Sequence, residues 1–226
     1  MTGARRVGTW EVERSSGPAG PFHARDLPDE PVPAVWVHEV TRPALVLGST
    51  QGDEVVDTGA AAAAGVDVVR RRSGGGAVLL VPGRQLWVDV VVPRDHERWS
   101  DDVGLAFHWL GEAWADALGS LGVAAEVHRG ALVRTAWSRL VCFAGLGPGE
   151  VTVGGRKVVG VSQRRTRAAA RFQCSALAAW EPGPLLHLLR LDPAERRRAG
   201  AELADAAAGV GVDLAALEAA FLARLG

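Results

Sequence analysis

Residues 70–78 read RRRSGGGAV and join two apolar stretches of strand length, 66–70 and 77–81. Three consecutive glycines let backbone N–H groups approach a ligand without interference from Cβ atoms, and adjacent arginines offer forked donors for a carboxylate or phosphate. The glycines lead into a predicted strand rather than a helix, which excludes a dinucleotide-binding loop, and no Gly-Lys-Ser/Thr follows as in a P-loop. Taken alone, the stretch is equally consistent with a glycine-rich hairpin whose basic strand end faces solvent.

The chain around this stretch consists of many short apolar segments and a few amphipathic ones. Apolar runs bounded by Gly, Pro and Asp predict strands, and apolar residues at three- or four-residue steps predict helices. The predicted strands cover residues 35–40, 44–47, 66–70, 77–81, 86–92, 126–128, 151–153, 157–162 and 172–177, and the predicted helices cover 60–64, 102–121 and most of 184–226. Strands dominate the middle of the chain, so the predicted class is α+β, with a mixed or antiparallel sheet flanked by helices.

The N-terminal residues differ in composition from the rest of the chain. Residues 15–33 are rich in Pro, Gly and charge, which predicts a loop or a loosely attached arm. We therefore expect an N-terminal arm over residues 1–33 and a single domain over 34–226 that ends in the helices of 184–226.

The bulk composition is that of a globular protein. Of its 226 residues 48% are hydrophobic, and the net charge of −1 gives no overall attraction for nucleic acid or an acidic membrane. Two cysteines cannot form a disulfide framework, and the scattered histidines offer no i,i+4 ligand pair, so no metal site is predicted. The N-terminus lacks the apolar core of a secretory signal, and no apolar run reaches ~18 residues. The expected protein is soluble and cytoplasmic, without a nucleic-acid or membrane partner.

Lys157 is the only lysine among 25 basic residues. Arginine serves wherever else a positive charge is needed, so the remaining lysine indicates a position that requires a compact ammonium rather than a planar guanidinium. The alternative is chance survival of a lysine on the surface.

Three motifs follow one another along the chain: PALVLGSTQ at 43–51, RRRSGGGAV at 70–78 and GRKVVGVSQRRTR at 155–167. Together they resemble the family of lipoate–protein ligases and octanoyl/lipoyl transferases, which is related to biotin–protein ligases. That family shows an RRxSGGGxV loop between strands and, further along, a GxKxxG strand whose lysine lies at the active site. The resemblance covers roughly residues 35–190 and implies the class II synthetase-like catalytic domain of biotin and lipoate ligases.

The resemblance also implies roles for individual residues. Lys157 would hydrogen-bond the acyl carbonyl oxygen and stabilise the charge that develops there. Cys142, in a Gly/Pro-rich stretch ahead of the lysine strand, would form the acyl-thioester of the octanoyltransferase and amidotransferase branch, unless it is an inert buried cysteine. Cys174 is expected in the core or in a pocket wall. The implied substrate-binding residues are Arg70, Arg71, Arg72, Ser73, Gly74, Gly75, Gly76, Gly160, Ser162 and Gln163.

The implied reaction is transfer of an octanoyl or lipoyl group to the ε-amine of a lysine on a lipoyl domain. A transferase would need no cofactor, whereas an ATP-dependent lipoate–protein ligase, the second interpretation, would need ATP and Mg²⁺. The stretch after Trp180 is too short for the accessory C-terminal domain that many ligases of the family carry, which favours the transferase. A third interpretation is a non-catalytic homologue that binds lipoyl domains, but the presence of Lys157 argues against it. The implied partners are the lipoyl domains of 2-oxoacid dehydrogenases or the glycine-cleavage H protein, with acyl-carrier protein as a candidate donor.

Overall fold

A computed structural model describes residues 5–226, which form two β-sheets flanked by six α-helices. The predicted α+β class with a mixed sheet is confirmed. The strands are β1 (Arg5–Val7), β2 (Trp10–Gly17), β3 (Ala34–Val40), β4 (Ala44–Leu47), β5 (Asp67–Arg70), β6 (Val78–Leu80), β7 (Gln85–Pro93), β8 (Glu126–Val127), β9 (Val151–Val153), β10 (Arg156–Arg165) and β11 (Ala169–Leu177). The helices are α1 (Ala19–Ala24), α2 (Thr58–Ala63), α3 (His108–Ser120), α4 (Pro182–His187), α5 (Pro193–Leu203) and α6 (Leu214–Ala223).

The larger sheet has eight strands in the order β1-β2-β3-β7-β11-β10-β9-β8, and the smaller has the order β5-β4-β6. In the larger sheet β2 and β3 run parallel, and the other neighbours are antiparallel. In the smaller sheet β4 is parallel to β5 and antiparallel to β6. The glycine-rich stretch therefore connects the two edge strands of the smaller sheet.

Helices α3 and α6 cover one face of the larger sheet. Trp114 of α3 stacks on Phe221 of α6 with ring centroids 3.9 Å apart, and both rings are fully buried. On the opposite face, Trp87 of β7 packs with Val46 and Leu80 of the smaller sheet. Because alternate residues of a strand point to opposite faces, the same strands provide a helix-covered core on one side and the wall of a site on the other.

The N-terminal segment is part of the sheet, so the prediction of a loose arm is wrong for residues 10–24. β2 pairs with β3 from Glu11 to Gly17, with Trp10 and Val12 buried and Glu11 between them only half-buried. Such alternation makes less than half of the strand apolar, which leaves a weak signal in the sequence. Helix α1 follows and buries His23. Proline is tolerated at position 21 because it lies in the first turn of α1, where a backbone N–H would have no acceptor within the helix.

The lysine strand begins at a tight hairpin. Gly154 and Gly155, between β9 and β10, have φ values of +56° and +76°. Two consecutive positive φ values are typical of a type I′ turn, which glycine adopts without steric cost. Among the residues of 5–226, none of the helices combines the length and hydropathy that a membrane span requires.

Candidate active site

The ammonium of Lys157 is buried between β10 and the 142–150 loop. Only 3% of the side chain is exposed. Nζ donates to the carbonyl oxygens of Cys142 and Gly145, both at 3.1 Å, and lies 2.7 Å from Oε2 of Glu150. The ring centroid of Phe143 lies 4.9 Å from Nζ. All three N–H bonds of the ammonium therefore have an acceptor, and a substrate oxygen would have to replace one of them.

A β-bulge explains the spacing between Lys157 and Gly160. In the pairing of β10 with β9, Lys157 lies opposite Thr152 but Val159 lies opposite Val151, so one extra residue is inserted. Residues three apart in a regular strand point to opposite faces, and the inserted residue brings these two to the same side. A Cβ atom on Gly160 would lie 3.2 Å from Cε of Lys157. Glycine at this position leaves the space that the lysine side chain occupies.

Glu150 is the charged partner of Lys157 and was not among the predicted site residues. It is 6% exposed. Oε2 also accepts the N–H of Gly147 at 2.7 Å, and Oε1 accepts the N–H of Val161 at 3.1 Å. A buried carboxylate needs such partners, and here they fix the 142–150 loop to β10. In the sequence, Glu150 is distinguished only by its position as an acidic residue at the end of a Gly/Pro-rich apolar stretch.

Arg71 shapes the glycine loop from the inside. Its buried guanidinium donates to the carbonyl oxygens of Gly74 at 2.8 Å and Gly76 at 2.9 Å. Gly75, with φ of +101°, has a backbone conformation that favours glycine. With the carbonyl oxygens held by Arg71, the N–H groups of the three glycines donate to no acceptor among the described residues. The loop therefore presents unpaired backbone donors, an arrangement that suits an anionic or carbonyl oxygen.

The glycine loop and the lysine strand meet at Val141 and Cys142. The N–H of Cys142 donates to the carbonyl oxygen of Ala77 at 2.9 Å. A Cβ atom on Gly76 would lie 2.6 Å from the backbone of Val141, so only glycine permits this approach. Since Lys157 donates to the carbonyl of Cys142, the two motifs contact the same short segment from opposite sides.

Two cavities meet at this segment. One, of about 50 Å³, lies between the two sheets and has a mainly apolar lining that includes Val78, Leu80 and Trp87. The other is a groove of about 640 Å³ with both polar and apolar lining, formed by the glycine loop, the 142–150 loop and Lys157. Three residues line both: Cys142, Val161 and Ser162. We call the first the apolar cavity and the second the groove.

The two cysteines have different surroundings. Cys142 begins a short 3-10 turn, is partly exposed and packs beside Phe143 and Leu177. Cys174 on β11 is fully buried, and burial raises the pKa of its thiol well above the usual range. The predicted core or pocket-wall position of Cys174 is confirmed. Of the two, Cys142 alone lines the groove.

A chain of hydrogen bonds runs along the wall of the apolar cavity. Ser162 Oγ lies 2.9 Å from Ser73 Oγ, which donates to Oε1 of Gln173 at 3.0 Å. Nε2 of Gln173 lies 3.2 Å from Nδ1 of His23. Since the amide donates, Nδ1 accepts and the imidazole proton lies on Nε2, which has no partner among the described residues. Burial lowers the pKa of His23 to about 3, so the ring is neutral at pH 7.

Residues 22–210 match the family described as the lipoyl protein ligase A/B catalytic domain. The chain belongs to this family. The match includes both the glycine loop and the lysine strand, and it confirms the resemblance seen in the three motifs.

Solved structures of lipoate ligases share the fold. A bipartite lipoate protein ligase from Thermoplasma acidophilum, from a study that includes its E2 lipoyl domain, aligns with a TM-score of 0.73 at 18% identity over 98% of this chain and 83% of that one. Lipoate-protein ligase A bound with ATP aligns with a TM-score of 0.65 at 19% identity over 96% and 83%. A T. acidophilum protein with bound lipoic acid aligns with a TM-score of 0.63 at 20% identity over 89% and 73%. No curated protein sequence matches the chain.

In this member of the lipoyl ligase family, most of the predicted site residues lie together. The groove is lined by Lys157, Cys142, Ser162 and the glycines 74–76, and Gly160 lines the adjoining apolar cavity. Ser73 is buried and bonded to Ser162. Their roles toward a substrate stay predictions.

The expectation that all three arginines offer unpaired guanidinium groups to a ligand requires correction. At the surface Arg70 pairs with Asp53 and Arg72 with Asp26, and neither arginine lines the groove or the apolar cavity. Arg71 lines the apolar cavity, but its donors bind the glycine loop. Neighbouring carbonyl and carboxylate oxygens therefore occupy the guanidinium groups of all three arginines, and Arg71 holds the glycine loop. Their roles toward a substrate stay predictions.

Gln163 also requires correction, because it lies on the opposite face of the sheet from Ser162. It pairs across the sheet with Phe172, which belongs to the core under α3 and α6. Both amide atoms of Gln163 are buried without a partner within residues 5–226, and the residue lines neither the apolar cavity nor the groove. The alternation of side chains along a strand places only one of the two neighbours in the site.

The first motif has a structural part in the site. The side chain of Gln51 accepts the N–H of Gly48 at 2.9 Å and donates to the carbonyl oxygens of Arg139 and Leu140 at 3.2 Å and 3.1 Å. It thereby fixes the segment ahead of Cys142 against the end of β4. Gly48 itself allows close approach of the glycine loop, since a Cβ atom there would lie 1.9 Å from the oxygen of Gly75.

Proposed function

We propose that the protein transfers an octanoyl or lipoyl group to the ε-amine of a lysine on a lipoyl domain, through an acyl-thioester on Cys142. The observation that carries the proposal is the position of Cys142, which lines both the apolar cavity and the groove beside Lys157. An apolar cavity suits a hydrocarbon chain, and a wider groove that also presents polar and charged groups suits the donor and acceptor groups.

The lining of the apolar cavity crosses three strands of the larger sheet. Gly160 on β10 lies opposite Ser175 on β11, which lies opposite Trp87 on β7, and all three line the cavity. The cavity therefore crosses two inter-strand spacings, roughly 10 Å. A chain of that length would place its carbonyl near Cys142 and its end near Trp87.

The first step would load the acyl group onto the enzyme. The Cys142 thiolate attacks the carbonyl carbon of a donor thioester, a new C–S bond forms, and the donor thiolate leaves and takes up a proton. One thioester replaces another, so the step needs no ATP. Lys157 would stabilise the oxyanion, with the substrate oxygen replacing the carbonyl oxygen of Gly145 or Cys142 as its acceptor.

The second step would deliver the acyl group. The neutral ε-amine of the acceptor lysine attacks the Cys142 thioester, a C–N bond forms, the C–S bond breaks, and the amine proton passes to the sulfur or to solvent. The product amide is more stable than the thioester, so transfer is effectively irreversible. Unpaired N–H groups of the glycine loop would supply further donors to the oxyanion.

An ATP-dependent lipoate–protein ligase is the second candidate. The groove has room for a nucleotide, and one of the structural relatives was solved with ATP. Mg²⁺ commonly uses one or two carboxylates together with substrate phosphates, and Glu54 is a groove carboxylate without a partner in the described part of the chain. Glu54 would then hold the metal that neutralises the phosphates.

A donor panel separates the two functions. The protein is mixed with an apo lipoyl domain and, separately, octanoyl-carrier protein, octanoylated H protein, or lipoate with ATP and Mg²⁺, and the acceptor mass is measured. We expect acylation from an octanoyl thioester without ATP. Acylation that requires lipoate and ATP together would establish the ligase and leave Cys142 a structural residue.

A further inference from the structure

A strip at the mouth of the groove belongs to none of the sequence motifs. Leu132 and Val133 are 50% and 48% exposed, and they are adjacent, large and apolar. Arg134 and Arg139 are exposed as well, and neither side chain has an acceptor or acidic partner among the described residues. We call these four side chains the rim patch. Leu132, Arg134 and Arg139 line the groove itself.

The rim patch is attached directly to the loop that surrounds Lys157. Val133 and Leu146 exchange two backbone hydrogen bonds, at 2.8 Å and 3.1 Å. The hydroxyl of Thr135 donates to the carbonyl oxygen of Ala144 at 2.9 Å. The patch is therefore held in place beside the 142–150 loop, and a protein bound to it would cover the groove.

The charges of the rim patch are free for a partner. Most guanidinium groups of this arginine-rich chain are occupied, as in the pairs of Arg129 with Glu112 and Arg156 with Asp205. Glu150, the buried acid of the groove, is taken by Lys157. Two free cations beside an apolar pair are complementary to acidic residues around an apolar centre.

We propose that the rim patch is the docking surface for the acceptor domain, which presents an acidic face with an apolar centre around its target lysine. The inference rests on the proposed function, because it assumes an acceptor lysine that must enter the groove. A lysine side chain is short, so its domain has to lie at the groove mouth. An acyl donor on a long flexible arm can reach the groove while its carrier lies away from the groove mouth.

Charge reversal of the rim patch tests the proposal. Arg134→Glu/Arg139→Glu is compared with Arg197→Glu/Arg224→Glu, which changes the net charge equally at exposed arginines that do not line the groove and have no acidic partner in the described part of the chain. Binding of an apo lipoyl domain is measured by calorimetry, and the two half-reactions are followed by mass spectrometry with octanoyl-N-acetylcysteamine as an uncharged donor. We expect the rim variant to weaken acceptor binding and raise the acceptor KM by about tenfold or more, less so at high salt. Loading of Cys142 by the small uncharged donor should fall far less than acceptor binding does, and the control variant should bind as wild type.

Several results would overturn the docking surface. One is wild-type acceptor binding by the rim variant, and another is an equal loss in the control variant, which would indicate a general charge effect. A wild-type dimer that the rim variant abolishes would assign the patch to a second copy of the chain. Failure of the proposed function has a different signature: the wild type would bind the acceptor but acylate it from no thioester donor.

Discussion

At the scale of single residues, the site depends on a compact ammonium in a space bounded on every side. Lys157 reaches two carbonyl oxygens and one carboxylate, and Gly160 lies against its Cε. A guanidinium is wider and planar, so it cannot direct three donors to the same points. The survival of one lysine among 25 basic residues therefore has a geometric reason.

Lys157→Arg should lower kcat for acyl transfer by about 10²-fold or more, because the oxyanion loses a donor at the required position. The fold should be retained, as measured by circular dichroism and by the urea midpoint. The matched control is Arg156→Lys, an exposed neighbour on the same strand, which should have wild-type activity. Near-normal turnover of a folded Lys157→Arg protein would show that the ammonium is not needed.

Cys142→Ser should lower transfer by at least about 10²-fold, because a hydroxyl is a far weaker nucleophile than a thiolate. In the wild type, iodoacetamide should label Cys142 faster than Cys174, since only Cys142 is partly exposed and burial raises the pKa of the Cys174 thiol. Peptide mapping after timed labelling measures both rates. Equal labelling, or full activity in the serine variant, would make Cys142 a structural residue.

At the scale of elements, the site is the junction of a glycine loop and a bulged strand. The order and the type of most strands were predictable, because apolar runs and Gly/Pro boundaries are local signals. The bulge in β10 was not, because it depends on the register against β9, and neither was the Glu150 contact. Nor does a sequence show that nearby carbonyl and carboxylate oxygens occupy the donors of the arginine run.

Gly76→Ala should separate the loop from the 142–150 segment. Its Cβ atom would lie 2.6 Å from the Val141 backbone, whereas that of Gly119→Ala, the control in α3, meets nothing within 4 Å. We expect Gly76→Ala to lose about 1–3 kcal/mol in the free energy of unfolding and most of its transfer activity. Gly119→Ala should be neutral or slightly stabilising. If urea unfolding gives the same stability for both variants, the contact between Gly76 and the Val141 backbone is not tight.

At the scale of the whole molecule, the N-terminal segment packs against the larger sheet and places His23 in the wall of the apolar cavity. Asp89 and Arg171 are buried together, and Arg171 also donates to the carbonyl oxygens of Phe22 and Arg25, at 2.7 Å each, which holds α1 in place. Burial opposes ionisation of Asp89, but His38 and Arg171 outweigh it and lower its pKa to about 2. These long-range contacts join residues far apart in sequence, which is why composition alone suggested a loose arm.

The buried His23 makes stability depend on pH. Its folded pKa of about 3 lies below the ordinary 6.5, so the unfolded chain binds the extra proton and stability falls as the pH drops below 6.5. Between pH 7 and pH 5 the loss should be about 2 kcal/mol. His23→Leu should remove that part of the pH dependence, and the exposed His187→Gln should keep it. Urea titrations at both pH values measure the slopes; an unchanged slope in His23→Leu would contradict the buried neutral imidazole.

The most direct test of the account is isolation of the acyl-enzyme. The protein is mixed with an octanoyl thioester in the absence of ATP, and the excess donor is removed. One portion is mapped by mass spectrometry, and a second portion is mixed with an apo lipoyl domain. The account predicts one octanoyl group on Cys142, absent in Cys142→Ser, that moves to the acceptor lysine at a rate no slower than turnover. An enzyme that remains unmodified, while acceptor acylation proceeds only with a free acid and ATP, would contradict it.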